Sequence, residues 1–229
     1  MALINDFMSL IYPRTCEACE EVLFEHEQYI CNACQLTLPK SNYHLNPNNP
    51  ISMALAGRVP VKNATCLFEF EKLGRVQKLL HALKYENQQA LGELLGKQLY
   101  HTLSNSTFFE GIDVIVPVPL HPNKLKQRGY NQSACFAKGI SDASGIPVNT
   151  SILMRTGETS TQTKKKKFER WENVGLVFSL ADGAFFENKH ILLVDDVITT
   201  GATIEGCWQA LKEVDNISIS LASIAYALK

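Results

Sequence analysis

Neither sign of charge is in excess in this chain. Of its 229 residues 22 are basic and 23 acidic, a formal net charge of -1. A protein that binds by phosphate neutralisation alone needs a basic surface, so that class is excluded, while a local basic patch is not. Long apolar runs are missing too. The most apolar uncharged stretch, residues 217–228, carries three serines and falls short of the roughly 18 residues that span a bilayer, so no membrane insertion is expected. The start has no positively charged leader pattern: Asp6 interrupts it and the first basic residue is Arg14. A cytoplasmic location is the expectation. There is no internal repeat, and the only low-complexity stretch is Lys164 to Lys167.

What is present describes an ordinary globular protein, 45% hydrophobic and 20% charged. The length suggests one domain plus an attachment, with enough chain for a full core. A disulfide-only scaffold and a disordered tail are both excluded. Seven cysteines are unevenly placed. Cys66, Cys135 and Cys207 lie among apolar neighbours and read as small buried hydrophobes. The other four form Cys16-x2-Cys19-x11-Cys31-x2-Cys34. Each pair puts two thiolates on one knuckle, and two knuckles complete a closed tetrahedral site suited to structural Zn²⁺. Two local redox pairs or an iron–sulfur cluster are the alternatives. His26 stands between the pairs, but four sulfurs make it unnecessary. The knuckle serves either as a staple or as a surface for nucleic acid or a partner.

Residues 3–11 place Leu3, Ile4, Phe7, Leu10 and Ile11 on one helical face. The stretch 41–62 is rich in asparagine and proline and reads as a linker. A strand is expected at 65–71, then two helices carrying Leu79, Leu83, Leu91, Leu95 and Leu99, placed ahead of the sheet. Short apolar runs follow at 113–118, 152–154, 174–180, 191–194 and 217–226, with helical patterns at 131–144 and 203–214. That alternation predicts a mostly parallel α/β sheet.

The most informative segment is 190–204, H-I-L-L-V-D-D-V-I-T-T-G-A-T-I. A buried strand runs into Asp195 and Asp196, then into Thr199, Thr200, Gly201, Ala202 and Thr203, then into a helix. Ligands of open α/β sheets bind at the carboxyl ends of strands, which puts both carboxylates at a ligand. Small residues opening a helix present backbone N–H groups and hydroxyls to a phosphate. The plainer alternative is that the acids end the strand and the threonines fill a turn. Two adjacent carboxylates need hydroxyls, a cation or solvent, and a ribose diol with Mg²⁺ would answer them.

Residues 191–203, with four hydrophobics, two acids and T-T-G-x-T, resemble the 5-phosphoribosyl-1-pyrophosphate (PRPP) motif of type I phosphoribosyltransferases. Further text narrows the resemblance: V-P-V-P-L-H-P-N-K-L-K-Q-R-G-Y-N-Q at 116–132, Leu83-Lys84-Tyr85, Gln162, Glu169-Arg170, Asn173-Val174 and Phe178, and the cysteine pairs followed by Leu38-Pro39. Together these look like the ComF/GntX family over nearly the whole chain. The resemblance implies a type I phosphoribosyltransferase-like α/β fold, a mostly parallel sheet flanked by helices, with a small N-terminal four-cysteine zinc module. Residues 1–40 would form the helix and module, 41–62 the linker and 63–229 the phosphoribosyltransferase-like domain, with a hood for the acceptor near 64–103.

The implied ligand is PRPP, or another ribose-5-phosphate compound, with Mg²⁺. Asp195 and Asp196 would take the ribose hydroxyls, Thr199 to Thr203 the 5′-phosphate, and the loop Val118, Pro119, Leu120 and His121 the pyrophosphate. Arg128, with a planar fork that matches phosphate oxygens, and Arg170 would add charge. Residues 159–171 resemble the loop that closes over the reacting centre and excludes water. The lysine run there, with Phe168, Arg170 and Trp171, also makes a single-strand nucleic-acid grip, its other reading being a solvated loop. A ComF protein would transfer phosphoribosyl to an acceptor that no motif names, or would serve as a DNA-handling accessory in natural transformation. The implied partners in the second role are single-stranded DNA and competence proteins.

Overall fold

Strands that are apolar on both faces must be covered on both faces, and the sheet here is built that way. The computed structural model describes residues 13–156 and 177–227. The expected helix at 3–11, the loop 159–171 with Arg170, and Lys164 to Lys167 lie outside the described residues.

A cysteine knuckle opens the described chain and leads into the short helix α1 (Asn32–Thr37), then α2 (Pro50–Leu55) and the strand β1 (Val61–Phe70). Helices α3 (Arg75–Tyr85) and α4 (Gln89–Leu103) precede β2 (Val114–Pro117), α5 (Pro122–Arg128) and α6 (Gln132–Ser144). The strands β3 (Leu153–Arg155) and β4 (Phe178–Leu180) pair antiparallel, and β5 (His190–Ile198), α7 (Ala202–Leu211) and β6 (Ser218–Ala227) complete the fold. The main sheet is parallel throughout, in the order β1-β6-β5-β2.

Alternation along the strands divides the core. Leu192, Val194, Ala222 and Ile224 face a layer made by α3, α4, α6 and the knuckle, with Leu79, Leu83, Leu95 and Phe136. Ile191, Leu193, Ile219 and Leu221 face α2, α7 and β4, with Leu55, Ile204 and Phe178. Cys66, Cys135 and Cys207 are buried in these layers, as small hydrophobes should be. Between α4 and α6 the helices meet backbone to backbone, because Gly96 and Gly139 leave no room for a Cβ. No helix among the described residues is long and apolar enough to cross a membrane.

Three expectations change. The strand expected to stop at Val194 runs on to Ile198: β6 continues to pair past that point, with Asp195 opposite Ser223 and Ile198 opposite Tyr226. The strand at 65–71 and the helices after it do not stand ahead of the sheet, since β1 is its edge strand, held by β6. The stretch 41–62 is folded, not extended as a linker. Asn49 caps α2 through the amides of Ile51 and Ser52 and donates to the Ala64 carbonyl, while Ile51 and Leu55 are fully buried against the sheet.

Candidate functional site

The sheet opens where β2 stops. Pro117 pairs with Val194, and the Val118 amide donates to the Val194 carbonyl at 2.8 Å. Beyond it Pro119 has no N–H to extend the ladder and the chain turns away. β5 continues with a partner on one side only, leaving a crevice at the carboxyl ends of β2 and β5, the position where α/β sheets take ligands. A cleft of about 180 Å³ lies there.

Asp195 and Asp196 form its floor. Asp195 is 8% exposed, and its Oδ1 accepts from Ser133 Oγ at 3.1 Å and from the Asp196 amide at 2.8 Å. Burial, reinforced by the neighbouring Asp196 charge, pushes its carboxyl up to about 7 against the counter-effect of those two donors and of Lys84. Asp196 Oδ1 accepts from the Val197 amide at 2.7 Å, and its Oδ2 pairs with Lys84 Nζ at 2.8 Å. Lys84 comes from the last turn of α3.

On one side of the carboxylates, Thr199, Thr200, Gly201, Ala202 and Thr203 curl into a hollow of about 30 Å³ shared with Asp195. Gly201 holds the turn at φ +77°, and a side chain there would run into Leu55. Arg58 braces the turn from outside, donating to the Thr200 carbonyl at 3.0 Å and pairing with Glu205 at 2.7 Å. The turn opens directly onto the N-terminus of α7, where free amides favour an anion. On the other side, Val118, Pro119 and Leu120 wall the cleft. Asn131 Nδ2 donates to the Val118 carbonyl at 2.9 Å and fixes that loop to the start of α6. Arg128 lines the cleft, donates to Gln132 Oε1 at 2.9 Å and lies over the Tyr85 ring.

Val118, Pro119, Leu120, Arg128, Asp195, Asp196 and Thr203 therefore share one cleft, with Thr199 to Ala202 in the adjoining hollow. His121 is not among its lining residues: its Nδ1 accepts from the Asn123 amide at 3.1 Å and caps α5. Sequence reasoning missed Lys84, Asn131, Gln132, Ser133 and Arg155, which also line the cleft. A polar residue in the last turn of an apolar-striped helix, or in the first turn of another, ordinarily faces solvent. Their only signal is that Lys84 and Asn131-Gln132 stand in text that carries the family resemblance.

Cys16, Cys19, Cys31 and Cys34 come together with their sulfurs all within 4.8 Å of one another. Cys19 and Cys31 are 3.7 Å apart, too far for a disulfide and close to the sulfur spacing of a tetrahedral thiolate site. The Cys31 amide donates to Cys16 Sγ at 3.3 Å, and the Cys34 amide to Cys31 Sγ at 3.4 Å. Burial opposes ionisation of Cys16, but the amides of Cys31, Ala18 and Cys19 outweigh it and bring the thiol down to about 7. Burial and the neighbouring sulfurs push Cys34 up. The donor set fits a metal ion: four crowded sulfurs ionise together only around a cation. The paired carboxylates of the cleft are hard oxygen donors of the kind Mg²⁺ takes, and they are answered by one ammonium alone among the described ion pairs.

The Phosphoribosyl transferase domain family matches residues 137–229. Competence protein F of Haemophilus influenzae is 30% identical over 153 residues, 65% of this chain and 67% of that protein. DNA utilization protein YhgH of Escherichia coli is 25% identical over 217 residues, 88% of this chain and 92% of that protein. Competence protein ComFC of Bacillus subtilis is 34% identical over 100 residues, 44% of this chain and 38% of that protein. Among solved structures, adenine phosphoribosyltransferase from Leishmania tarentolae aligns with a TM-score of 0.38 at 13% identity, covering 78% of this chain and 88% of that one.

Proposed function

The chain belongs to the ComF family of phosphoribosyltransferase-domain proteins, and from that premise we propose that it binds PRPP with Mg²⁺ and transfers phosphoribosyl to an acceptor. The observation that carries this reading is the convergence of Asp195-Asp196, the threonine turn on α7 and the loop after β2 at one strand end.

Asp195 and Asp196 take the two ribose hydroxyls, directly or through Mg²⁺ and water. Amides and hydroxyls from Thr199 to Thr203 take the 5′-phosphate, the mode in which helix N-termini hold anions. Val118, Pro119 and Leu120 flank the pyrophosphate, and Arg128 adds charge. Arg170 belongs to this set by its family position. Mg²⁺, when bound, supplies charge to the phosphate and hydroxyl oxygens. The bond from the anomeric carbon to the pyrophosphate oxygen breaks with its electron pair leaving on pyrophosphate, and the acceptor's lone pair forms the new bond as its proton passes to solvent. The oxocarbenium-like transition state is served by positioning and charge. PRPP is an intracellular metabolite, so the proposal carries a cytoplasmic location with it. The four cysteines hold structural Zn²⁺.

Ligand-linked stability tests this directly. PRPP with Mg²⁺ at about 100 times its Kd stabilises the fold by about 2.7 kcal/mol and raises the melting midpoint accordingly. A folded, metal-loaded protein whose midpoint does not move contradicts the reading. The names of the relatives in competence and DNA utilization favour a second role, handling of single-stranded DNA. That role predicts that joint Lys164→Ala to Lys167→Ala replacement lowers affinity for single-stranded DNA and leaves PRPP binding intact. Unchanged DNA affinity would contradict it.

A further inference from the structure

The cations around the cleft are not equivalent. Arg128 is engaged by Gln132 and stacked on Tyr85, and it touches neither carboxylate among the described contacts. Lys84 bonds Asp196 Oδ2 at 2.8 Å, with both side chains mostly buried. Lys124 and Arg155 line the cleft as well, and among the described ion pairs Lys84 is the cation set against the two adjacent carboxylates, one of them in the interior. Its backbone is fixed: the Tyr130 hydroxyl donates to the Leu83 carbonyl, so the end of α3 is tied to the turn that leads into α6. A lysine on a fixed backbone still has four flexible carbons. The same Lys84 lines the cleft together with Val118, Pro119 and Leu120.

From this geometry we propose that Lys84 is an exchangeable counter-ion: it neutralises Asp196 while the cleft is empty and passes to the ligand's pyrophosphate once a divalent cation and the ribose engage the carboxylates. This inference rests on the PRPP reading of the cleft. A divalent cation arriving at Asp195-Asp196 meets the ammonium as a like charge in a poorly solvated site, where repulsion is strong. The ammonium must leave Asp196 Oδ2. The charge that accompanies the cation into the cleft is the pyrophosphate, which gives the ammonium a new partner. Lys84 thus competes with a cation presented alone and cooperates with the same cation presented with PRPP, two effects of opposite sign from one residue.

The test measures two affinities in wild type and in Lys84→Met: Mn²⁺ alone, by electron paramagnetic resonance, and PRPP with Mg²⁺, by calorimetry. In the variant Mn²⁺ alone is expected to bind about 5-fold or more tightly, the range of ordinary site-to-site coupling. PRPP with Mg²⁺ is expected to bind about 10-fold more weakly, the size of one lost charge-assisted hydrogen bond. Lys84→Gln shows the same opposed shifts and supplies the measurement where Lys84→Met does not fold. Mn²⁺ binding that is unchanged or weaker in the folded variant overturns the exchange, as does PRPP binding that is unchanged. Failure of wild type to bind PRPP overturns the site reading itself, which is a distinguishable result.

Discussion

Asp195 sets what the empty site costs. Its carboxyl is raised from 3.8 to about 7, chiefly by burial and then by Asp196. A carboxyl raised in the folded state favours folding while it is protonated, and that contribution is lost as pH climbs from about 4 through about 7. Above that range the native protein holds a buried charge that the unfolded chain does not. Both of its described hydrogen bonds arrive at Oδ1, so an asparagine keeps them with its single carbonyl oxygen. Asp195→Asn is therefore expected to stabilise the ligand-free protein at pH 8 by on the order of 1 kcal/mol or more, and to lose that advantage near pH 4. Urea titrations of the two proteins at both pH values check this. A variant less stable than wild type at pH 8 would contradict the burial argument. In the proposed site the same substitution is expected to weaken PRPP binding, so that stability and function move in opposite directions.

At the scale of elements, the cleft depends on how closely α6 lies on α4. The first turn of α6 and its cap supply Asn131, Gln132 and Ser133 to the cleft, and a Cβ at Gly139 would collide with the Glu93 carbonyl of α4. Gly139→Ala is expected to destabilise by about 3 kcal/mol, since backbone cannot give way as a side chain tip can. The urea midpoint falls with the slope unchanged, and PRPP affinity drops as Ser133 moves off Asp195. A midpoint within error of wild type would contradict the close approach.

This is also where sequence reading ran out. Helical spacing located α3 and α4 because Leu79 and Leu83, and then Leu91, Leu95 and Leu99, recur four residues apart, and the pattern over 131–144 located α6. Spacing says nothing of which partner a glycine lets approach, so Gly96 and Gly139 were silent. The carboxylates were legible because two adjacent acids after a buried strand need an explanation. The length of β5 was not, since pairing with β6 past Val194 depends on a partner 28 residues away in Asp195 and Ser223. Lys84 was hidden for the same reason: its partner Asp196 lies on another element, and a lysine ending a helix has an ordinary explanation in the helix dipole.

At the scale of the whole molecule, the cysteine knuckle is part of the core. Cys16, Ala18, Ile30, Cys34 and Leu38 lie in the same buried layer as α3 and α4. Polar ties add to it: Lys78 to Glu20 at 2.9 Å, Arg75 to Thr37 at 2.7 Å and Gln88 to Glu17 at 2.9 Å. Protein purified without added metal is expected to carry one zinc per chain by elemental analysis. If the four thiolates hold zinc, chelation lowers the melting temperature of the whole transition, because metal binding to such a site contributes folding free energy. Absence of metal, or its removal without change in melting, would contradict the four-thiolate assignment. The spacing of the cysteines predicted their convergence in full. It did not predict that the knuckle would pack on α3, the helix that carries Lys84 to the cleft.

The paired carboxylates at the end of β5 are proposed to belong to a ribose-phosphate site. Calorimetric titration of PRPP with Mg²⁺ into wild type and into the Asp195→Asn/Asp196→Asn double variant tests that assignment most directly. Saturable binding to wild type and none to the folded double variant is the expected result. Equal binding by both proteins, or none by folded, zinc-loaded wild type, would contradict it.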